Sequence, residues 1–238
     1  MRSAAPADPP ELILDRDGRR IVLSVRRSPR ARRLALKLDP GAGMPVLVLP
    51  PRMPLARGQA FAEQNWQWLA TRLDRLPGRV AFADGATVPL RGIPHTVRHA
   101  PDLRGVVRAL DGRIEVSGRP EHLSRRLGDW LRREARRIVV PLAHEKAAAL
   151  NRKPARISLR DPRSRWGSCS SQGRLAFSWR LIMAPSTVLD YVVAHEVAHL
   201  VELNHSPAFW GVVACLTPHL EEGRTWLKQN GHGLHRYG

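Results

Sequence analysis

Apolar and polar positions alternate along much of the first 118 residues, and this pattern predicts short, half-buried strands. The turn-forming pair Asp17-Gly18 separates Leu12–Leu14 from Ile21–Val25, and Asp111-Gly112 separates two further apolar runs. Each of these pairs therefore predicts a β-hairpin. One helix interrupts the strands, because apolar residues recur at helical spacing over Ala56–Leu76.

The pattern changes after Gly118, where long apolar stripes replace the alternation. Pro120 opens a helical stretch that reaches about Leu150, with one apolar side and one arginine-rich side. Pro141 lies inside this stretch, and a proline there predicts a kink or a break.

Two short strands and two helices are predicted in the rest of the chain. The strands are Ile157–Leu159 and Leu175–Trp179, with a polar turn between them. A largely apolar helix is expected from Ser186 to about Leu203, with Asn204 as a left-handed cap. The pair Ser206-Pro207 then predicts the start of another helix.

These elements predict an α+β fold with three parts. Residues 1–10 are rich in Pro, Ala and Asp and are expected to be disordered. Residues 11–118 form a strand-rich N-terminal region with one helix. Residues 119–238 form a region of helices with a small sheet, so we expect the domain boundary near residue 118.

The net charge is strongly positive but is spread over the whole chain. The 39 basic and 21 acidic residues give a formal charge of +18, and residues 1–118 and 119–238 each contribute +9. Nucleic-acid-binding tails and arms usually concentrate their charge. All but 4 of the basic residues are arginine, a bias that often reflects genome composition. Charge therefore leaves a nucleic-acid or nucleotide partner open without identifying one.

The composition argues against a membrane protein and against a secreted one. The longest apolar runs are far shorter than the roughly 20 residues that a membrane span requires, and the N-terminus has no apolar h-region. The two cysteines, Cys169 and Cys215, could form at most one disulfide. We therefore expect a cytoplasmic protein with no membrane partner.

The strongest chemical signal is the HExxH motif His195-Glu196-Val197-Ala198-His199. On a helix, positions i and i+4 share one face, so His195 and His199 are able to bind one zinc ion. Glu196 lies next to that face, where it is able to take a proton from a zinc-bound water. The flanks are apolar, and three ionisable side chains on a buried helix require compensation, which a metal would supply.

A catalytic zinc requires a third protein ligand and an open fourth position. His205 follows His199 by six residues, as in the metzincin pattern HExxHxxGxxH, although Glu202 occupies the glycine position. Glu202 itself is a rival third ligand. More distant rivals are His219, Glu221 and Glu222.

A second motif precedes the HExxH helix, and together the two resemble the YgjP-like metallopeptidase family. This family is related to the SprT and WLM proteases and belongs among the minimal zincins. The resemblance is specific over roughly residues 120–230 and looser in the strand-rich region. It is carried by Arg165–Ser171, Tyr191–Leu200, Asn204–Ser206 and Phe209-Trp210.

The resemblance implies that His195, His199 and His205 bind zinc and that Glu196 is the general base. It also implies that residues 119–238 are a minimal zincin domain with a long helix, a small sheet and the HExxH helix. The implied function is zinc-dependent hydrolysis of peptide bonds in a protein or peptide substrate, through a metal-activated water. Two alternatives stay open: a metal-dependent nucleotide pyrophosphatase, and a protease recruited to DNA by the arginine-rich surface.

The residues that contact the substrate or the developing oxyanion are less defined. We expect a peptide to pair with an edge strand, for which Leu175–Trp179 is the candidate. With a complete zinc set available elsewhere, Cys169 is interpreted as a small buried hydrophobic residue. The candidate contacts are Arg165, Trp166, Ser168, His232, His235 and Tyr237.

Overall fold

The computed structural model describes residues 11–39, 44–74, 78–163 and 165–238. It is a mixed α+β chain, as the sequence predicts, and its contacts divide it into two compact units, Met1–Gly78 and Arg79–Gly238. None of the described helices has the length and apolar character needed to cross a bilayer. Residues 1–10, for which we expect disorder, lie outside the described residues.

The first unit contains a four-stranded sheet and two short helices. The predicted hairpin is present, with Asp17 and Gly18 both at positive φ (53° and 74°), as its tight turn requires. The predicted single helix is divided in two at Asn65, whose side-chain amide donates to the carbonyl of Phe61. The predicted helix end at Leu76 lies outside the described residues. The elements are β1 (Glu11–Arg16), β2 (Arg19–Arg27), β3 (Ala35–Asp39), β4 (Met44–Leu49), α1 (Leu55–Gln64) and α2 (Trp66–Asp74).

The second unit begins with another four-stranded sheet. Its strands are β5 (Thr87–Leu90), β6 (Ile93–His99), β7 (Val107–Leu110) and β8 (Arg113–Val116). The hairpin predicted at Asp111-Gly112 joins β7 to β8, with φ values of 48° and 73°. The strand order β5-β6-β8-β7, with β6 and β8 parallel, repeats the order and pairing of β1-β2-β4-β3. Both sheets are also followed by helices, a structural repeat that the sequence did not reveal.

The helix α3 (Leu123–Ala149) is continuous through Pro141, so the predicted break does not occur. Proline has no N–H group, so Pro141 leaves the carbonyl of Arg137 without its helical hydrogen bond. Both residues are exposed. Water is therefore available to that carbonyl, while the opposite face of the helix is held by buried packing.

A single hydrophobic core crosses the boundary that we expected near residue 118. Ile114 and Val116 of β8 pack in the same cluster as Leu127 and Leu131 of α3. Gly118 therefore marks a change of secondary structure inside the second unit, and the contact-based division falls instead after Gly78. The composition changes at 118 because strands give way to a helix, although both share one core.

A three-stranded sheet carries the segment next to the HExxH helix. Its strands are β9 (Arg156–Arg160), β10 (Gly167–Cys169) and β11 (Arg174–Ser178), in the order β10-β11-β9. The segment that we expected to be an edge strand, Leu175–Trp179, thus forms the central strand β11. The expectation was wrong because Gly167–Cys169, too short and polar to be recognised as a strand, pairs with β11 on one side.

The HExxH helix α4 (Ser186–Ala198) is the central helix of the second unit. It packs against α3, against α5 (Pro207–Leu216) and against α6 (Leu220–Asn230), and it also contacts β10 and β11. Most of the side chains of α4 are buried, and the majority of these are valine, leucine or alanine. This rigid position matters because α4 carries two of the three candidate metal ligands.

Candidate metal centre

The motif residues lie on the last turns of α4. His195 and Glu196 are helical, and His199 is the residue that ends the helix. Glu196 is only 6% exposed, whereas His195 and His199 are partly accessible. The i and i+4 spacing places the two imidazoles on the same side, as expected from the sequence.

The chain turns sharply after α4, and this turn brings His205 back to the helix. The helix ends at Ala198 rather than near Leu203, and Asn204 does not have the positive φ of a left-handed cap. Instead, the side-chain carbonyl of Asn204 accepts a hydrogen bond from the Ser206 amide. The Ser206 hydroxyl then caps α5, whose first residue is the predicted proline.

The three imidazoles converge on one point. Each of His195, His199 and His205 offers one ligand atom, and these atoms lie within 4.8 Å of one another. The Nε2 atoms of His195 and His205 are 3.2 Å apart. Two nitrogens that are each about 2.0–2.1 Å from a tetrahedral zinc lie roughly 3.3–3.4 Å apart, so this spacing fits two ligands of one ion.

Hydrogen bonding supports His199 as a ligand but does not explain the burial of His195. The Nδ1 atom of His199 is 2.8 Å from the carbonyl oxygen of Glu202. Because a carbonyl only accepts, Nδ1 carries the proton and Nε2 presents its lone pair. The Nδ1 atom of His195 is buried and has no hydrogen-bond partner among the described residues, and its Nε2 faces another imidazole. A metal bound at Nε2 would give that atom a partner, and Nδ1 would then carry the proton.

Aromatic packing holds the three rings in place. Phe209, fully buried on α5, has its ring centroid 5.0 Å from that of His195, 4.5 Å from that of His199 and 4.8 Å from that of His205. Trp210 lies 5.8 Å from the rings of both His195 and His205. Phe209 therefore packs against all three rings, a role that the sequence did not reveal, because there Phe209-Trp210 served only as part of the family resemblance.

The electrostatic surroundings favour the neutral form of His195 and His199. Burial, followed by the charges of His199 and His205, lowers the pKa of His195 to about 4. Burial also lowers the pKa of His199, although its hydrogen bond to Glu202 opposes the shift. Neutral imidazole is the form that binds a metal.

Glu196 lies against β10, where the backbone of Gly167 leaves room for it. A Cβ atom added to Gly167 would be 2.4 Å from Cγ and 2.6 Å from Oε1 of Glu196. Burial raises the pKa of Glu196 to about 7, and the positive charge of Arg165 opposes that shift. The sequence contains Gly167 inside the second motif, but only the structure reveals why that position is small.

The rival third ligands, Glu202, His219, Glu221 and Glu222, are not part of the described histidine cluster. Glu202 contributes its backbone carbonyl to His199, and its carboxylate is not part of the described histidine cluster. Glu222 accepts a hydrogen bond from the Thr187 hydroxyl at 2.8 Å, and its carboxylate is 3.6 Å from Nδ1 of His219. His205 is thus the residue that completes the cluster within the described chain.

The candidate substrate contacts fall into two groups. Trp166 and Ser168 flank Gly167, which contacts Glu196, and the charge of Arg165 acts on Glu196. Trp166 stacks on His235 with a centroid distance of 5.0 Å. His232 is exposed and has no described contact with the histidine cluster. Tyr237 packs against the hydrophobic core and pairs through its backbone with Val80.

The family comparison agrees with this arrangement. A family model described as the YgjP-like metallopeptidase domain matches residues 32–230, which is most of the chain. The chain belongs to the YgjP-like family. Searches of curated proteins and of solved structures gave no significant match. Membership of a YgjP-like metallopeptidase family implies a metal-dependent hydrolase that acts on proteins or peptides.

Proposed function

We propose that this chain is a zinc-dependent peptidase in which His195, His199 and His205 bind the metal and Glu196 is the general base. The observation that carries the proposal is the convergence of three imidazole nitrogens within 4.8 Å, beside a buried carboxylate. Three nitrogen ligands that leave one position open are typical of catalytic zinc, whereas structural sites close with four ligands. Neither Cys169 nor Cys215 belongs to the described cluster.

The metal would supply a water of lowered pKa and a Lewis acid that polarises the scissile carbonyl. The carboxylate of Glu196 takes a proton from the attacking water and then delivers it to the leaving amine. Its burial against Gly167 restricts where the carboxylate can lie, which is a requirement for efficient proton transfer. Arg165, whose charge acts on Glu196, is our candidate cation for the developing oxyanion.

A peptide substrate would add to the sheet at β10. The even-numbered residues in and beside β10 form the backbone hydrogen bonds to β11. The carbonyl of Trp166 accepts from Ser178, and the amide of Ser170 donates to Arg174. In an antiparallel pair, the alternate residues point the other way, so Gly167 and Cys169 direct their backbone groups to the free edge of the described sheet. Those groups are able to bind an extended peptide beside Glu196.

Both cysteines are free thiols in the structure. We propose that the protein works in a reducing compartment such as the cytoplasm, where free thiols persist.

The decisive experiment separates metal binding from catalysis. We expect Glu196→Gln to retain about one zinc per chain and to lose hydrolysis of casein or a fluorogenic peptide, because the amide is not a base. Full activity in this variant would refute the assignment of Glu196. Hydrolysis of nucleoside triphosphates but not of peptides by the zinc-loaded wild type would favour the nucleotide alternative.

The ligand set is tested by His205→Ala against His219→Ala as a matched control. We expect His205→Ala to weaken zinc binding at least tenfold, because it removes one of three ligands. His219→Ala should bind zinc like the wild type, since its ring faces Glu222. Equal zinc affinity in both variants would remove His205 from the ligand set.

A further inference from the structure

A concave site on the second unit shares no lining residue with the histidine cluster. It is a pocket of about 350 Å³ between α3, β9 and the 3-10 helix Trp179–Met183. Four of its seven lining residues are arginines. The lining consists of Arg132, Arg133, Arg136, Leu159, Arg160, Asp161 and Trp179.

The positive charge of this pocket is not neutralised by its own acid. Asp161 accepts two hydrogen bonds from the guanidinium of Arg180, at 2.7 Å and 3.1 Å. Although burial opposes it, these contacts lower the pKa of Asp161, so the carboxylate stays charged and committed to Arg180. The carboxylate is therefore not available to the four lining arginines.

Three of the four lining arginines are free to bind a ligand. Arg132 is 3.2 Å from the carboxylate of Asp129. In contrast, Arg133, Arg136 and Arg160 are exposed and have no ion pair or hydrogen bond to any residue that the structure describes. Three unpaired guanidinium groups around one concave surface repel each other, and a polyanion would relieve that repulsion.

The aromatic residue of the pocket stacks with arginine side chains and is not accessible to a nucleobase. The Trp179 ring is only 3% exposed, and the guanidinium carbons of Arg132 and Arg180 lie 5.0 Å and 4.6 Å from its centroid. A site that binds a nucleotide by its base normally offers an accessible aromatic face. This pocket offers arginine forks, whose planar geometry matches phosphate oxygens.

We propose that this arginine pocket binds the phosphate backbone of a nucleic-acid strand. The volume of about 350 Å³ accommodates more than one phosphate group, and Arg156 continues the basic surface along β9. The lack of an accessible ring favours contacts that do not depend on base identity. The proposal goes beyond the proposed peptidase function and does not depend on it.

The pocket borders the sheet that leads to the metal centre. Arg160 of β9 pairs with Ser178 of β11, and the amide of Ser178 donates to the carbonyl of Trp166 on the other side. Two strand spacings of about 4.8 Å separate Arg160 from Trp166, so their backbones are roughly 10 Å apart. A nucleic-acid strand bound in the pocket would therefore lie close to Trp166 and Gly167, the segment that contacts Glu196.

The test measures binding of a fluorescein-labelled 20-nucleotide single strand to full-length protein by anisotropy over a series of salt concentrations. The pocket variant is Arg133→Gln, Arg136→Gln and Arg160→Gln combined. The control variant, Arg98→Gln, Arg104→Gln and Arg113→Gln, removes the same charge from exposed positions on or beside the β5–β8 sheet. Glutamine removes the charge but stays polar, and on α3 its helix propensity is close to that of arginine, so both variants should melt like the wild type.

We expect the pocket variant to bind about tenfold or more weakly at 0.1 M salt and to lower the salt slope by about 2, since each phosphate contact of a single strand contributes about 0.7. The control should retain the wild-type slope. Equal losses of affinity in both triple variants would overturn the proposal, because the binding would then depend on the net charge of the protein and not on the pocket. Absence of strand binding by the wild type would also overturn it, as would equally tight binding of inorganic triphosphate.

A rival location for strand binding is the run of residues 26–33 in the first unit, where five of eight residues are arginine. The variant Arg26→Gln, Arg30→Gln and Arg33→Gln tests it in the same assay. If this variant loses the salt-dependent binding and the pocket variant retains it, the arginine pocket is not the site. If the pocket variant loses the salt-dependent binding and the variant of residues 26–33 retains it, the proposal is supported.

Discussion

Gly167 is the position where one added carbon would disturb the candidate catalytic base most directly. It is not among the described residues with positive φ, so its backbone accepts alanine without strain. The added Cβ, however, would be 2.4 Å from Cγ and 2.6 Å from Oε1 of Glu196. The effect of Gly167→Ala must therefore come from the carboxylate that has to move.

The size of that movement follows from the contact distances. Ordinary van der Waals contacts of a Cβ begin near 3.4 Å, so Glu196 has to shift by about 1 Å. A misplacement of about 1 Å in a catalytic group costs roughly 100-fold in rate. Overpacking at a buried contact costs about 1–3 kcal/mol of unfolding free energy. We expect Gly167→Ala to lose about 100-fold in kcat/KM while it still folds and binds zinc.

The assay compares kcat/KM for a fluorogenic peptide, zinc content and thermal melting. Gly211→Ala is the matched control, because a Cβ at Gly211 meets nothing within 4 Å and Gly211 lies within α5. That control should be fully active and up to about 1 kcal/mol more stable, since alanine favours helix over glycine. Wild-type activity in Gly167→Ala would refute the placement of Glu196 as the base. Loss of zinc together with activity would point to a general collapse of the site instead.

Two further predictions concern stability and thiol reactivity. Lys146, 8% exposed, pairs with Asp190 at 2.7 Å, and Lys146→Ala should cost about 3 kcal/mol in urea unfolding because Asp190 loses its cationic partner and keeps, of its described side-chain contacts, only the hydrogen bond from Thr217. A loss of less than about 1 kcal/mol would contradict this reasoning. Burial, and then the charge of Glu196, raises the pKa of Cys169 to about 11. In metal-free protein at pH 8.5, about 0.3% of Cys169 is then thiolate, so iodoacetamide should modify the exposed Cys215 first; faster labelling of Cys169 would refute the shift.

Local patterns were the most predictable part of the fold. The hairpins at Asp17-Gly18 and Asp111-Gly112 are present, because consecutive residues at positive φ are strongly restricted in type. The start of α5 at Pro207 was also correct, since a serine cap and a first-turn proline act within a few residues.

Errors arose where a distant contact overrides a local preference. The helix α4 stops at Ala198, several residues before the predicted end, and the carbonyl of Glu202 instead holds His199. The strand β10 escaped prediction because three residues give no periodicity, and its pairing with β11 defines it. Pro141 did not break α3, since packing on the buried face holds the helix together.

The sequence alone predicted that the two histidines of the HExxH motif share one side of a helix, because a four-residue spacing places them on one face whatever surrounds them. Its resemblance to the YgjP-like family was sufficient to predict the third histidine. The convergence of His205 with that pair, the support from Phe209 and the restriction of Glu196 by Gly167 were decided only by tertiary structure. These features depend on distances between residues far apart in the chain, and such distances are set by the packing of α4, α5 and β10 rather than by any local preference.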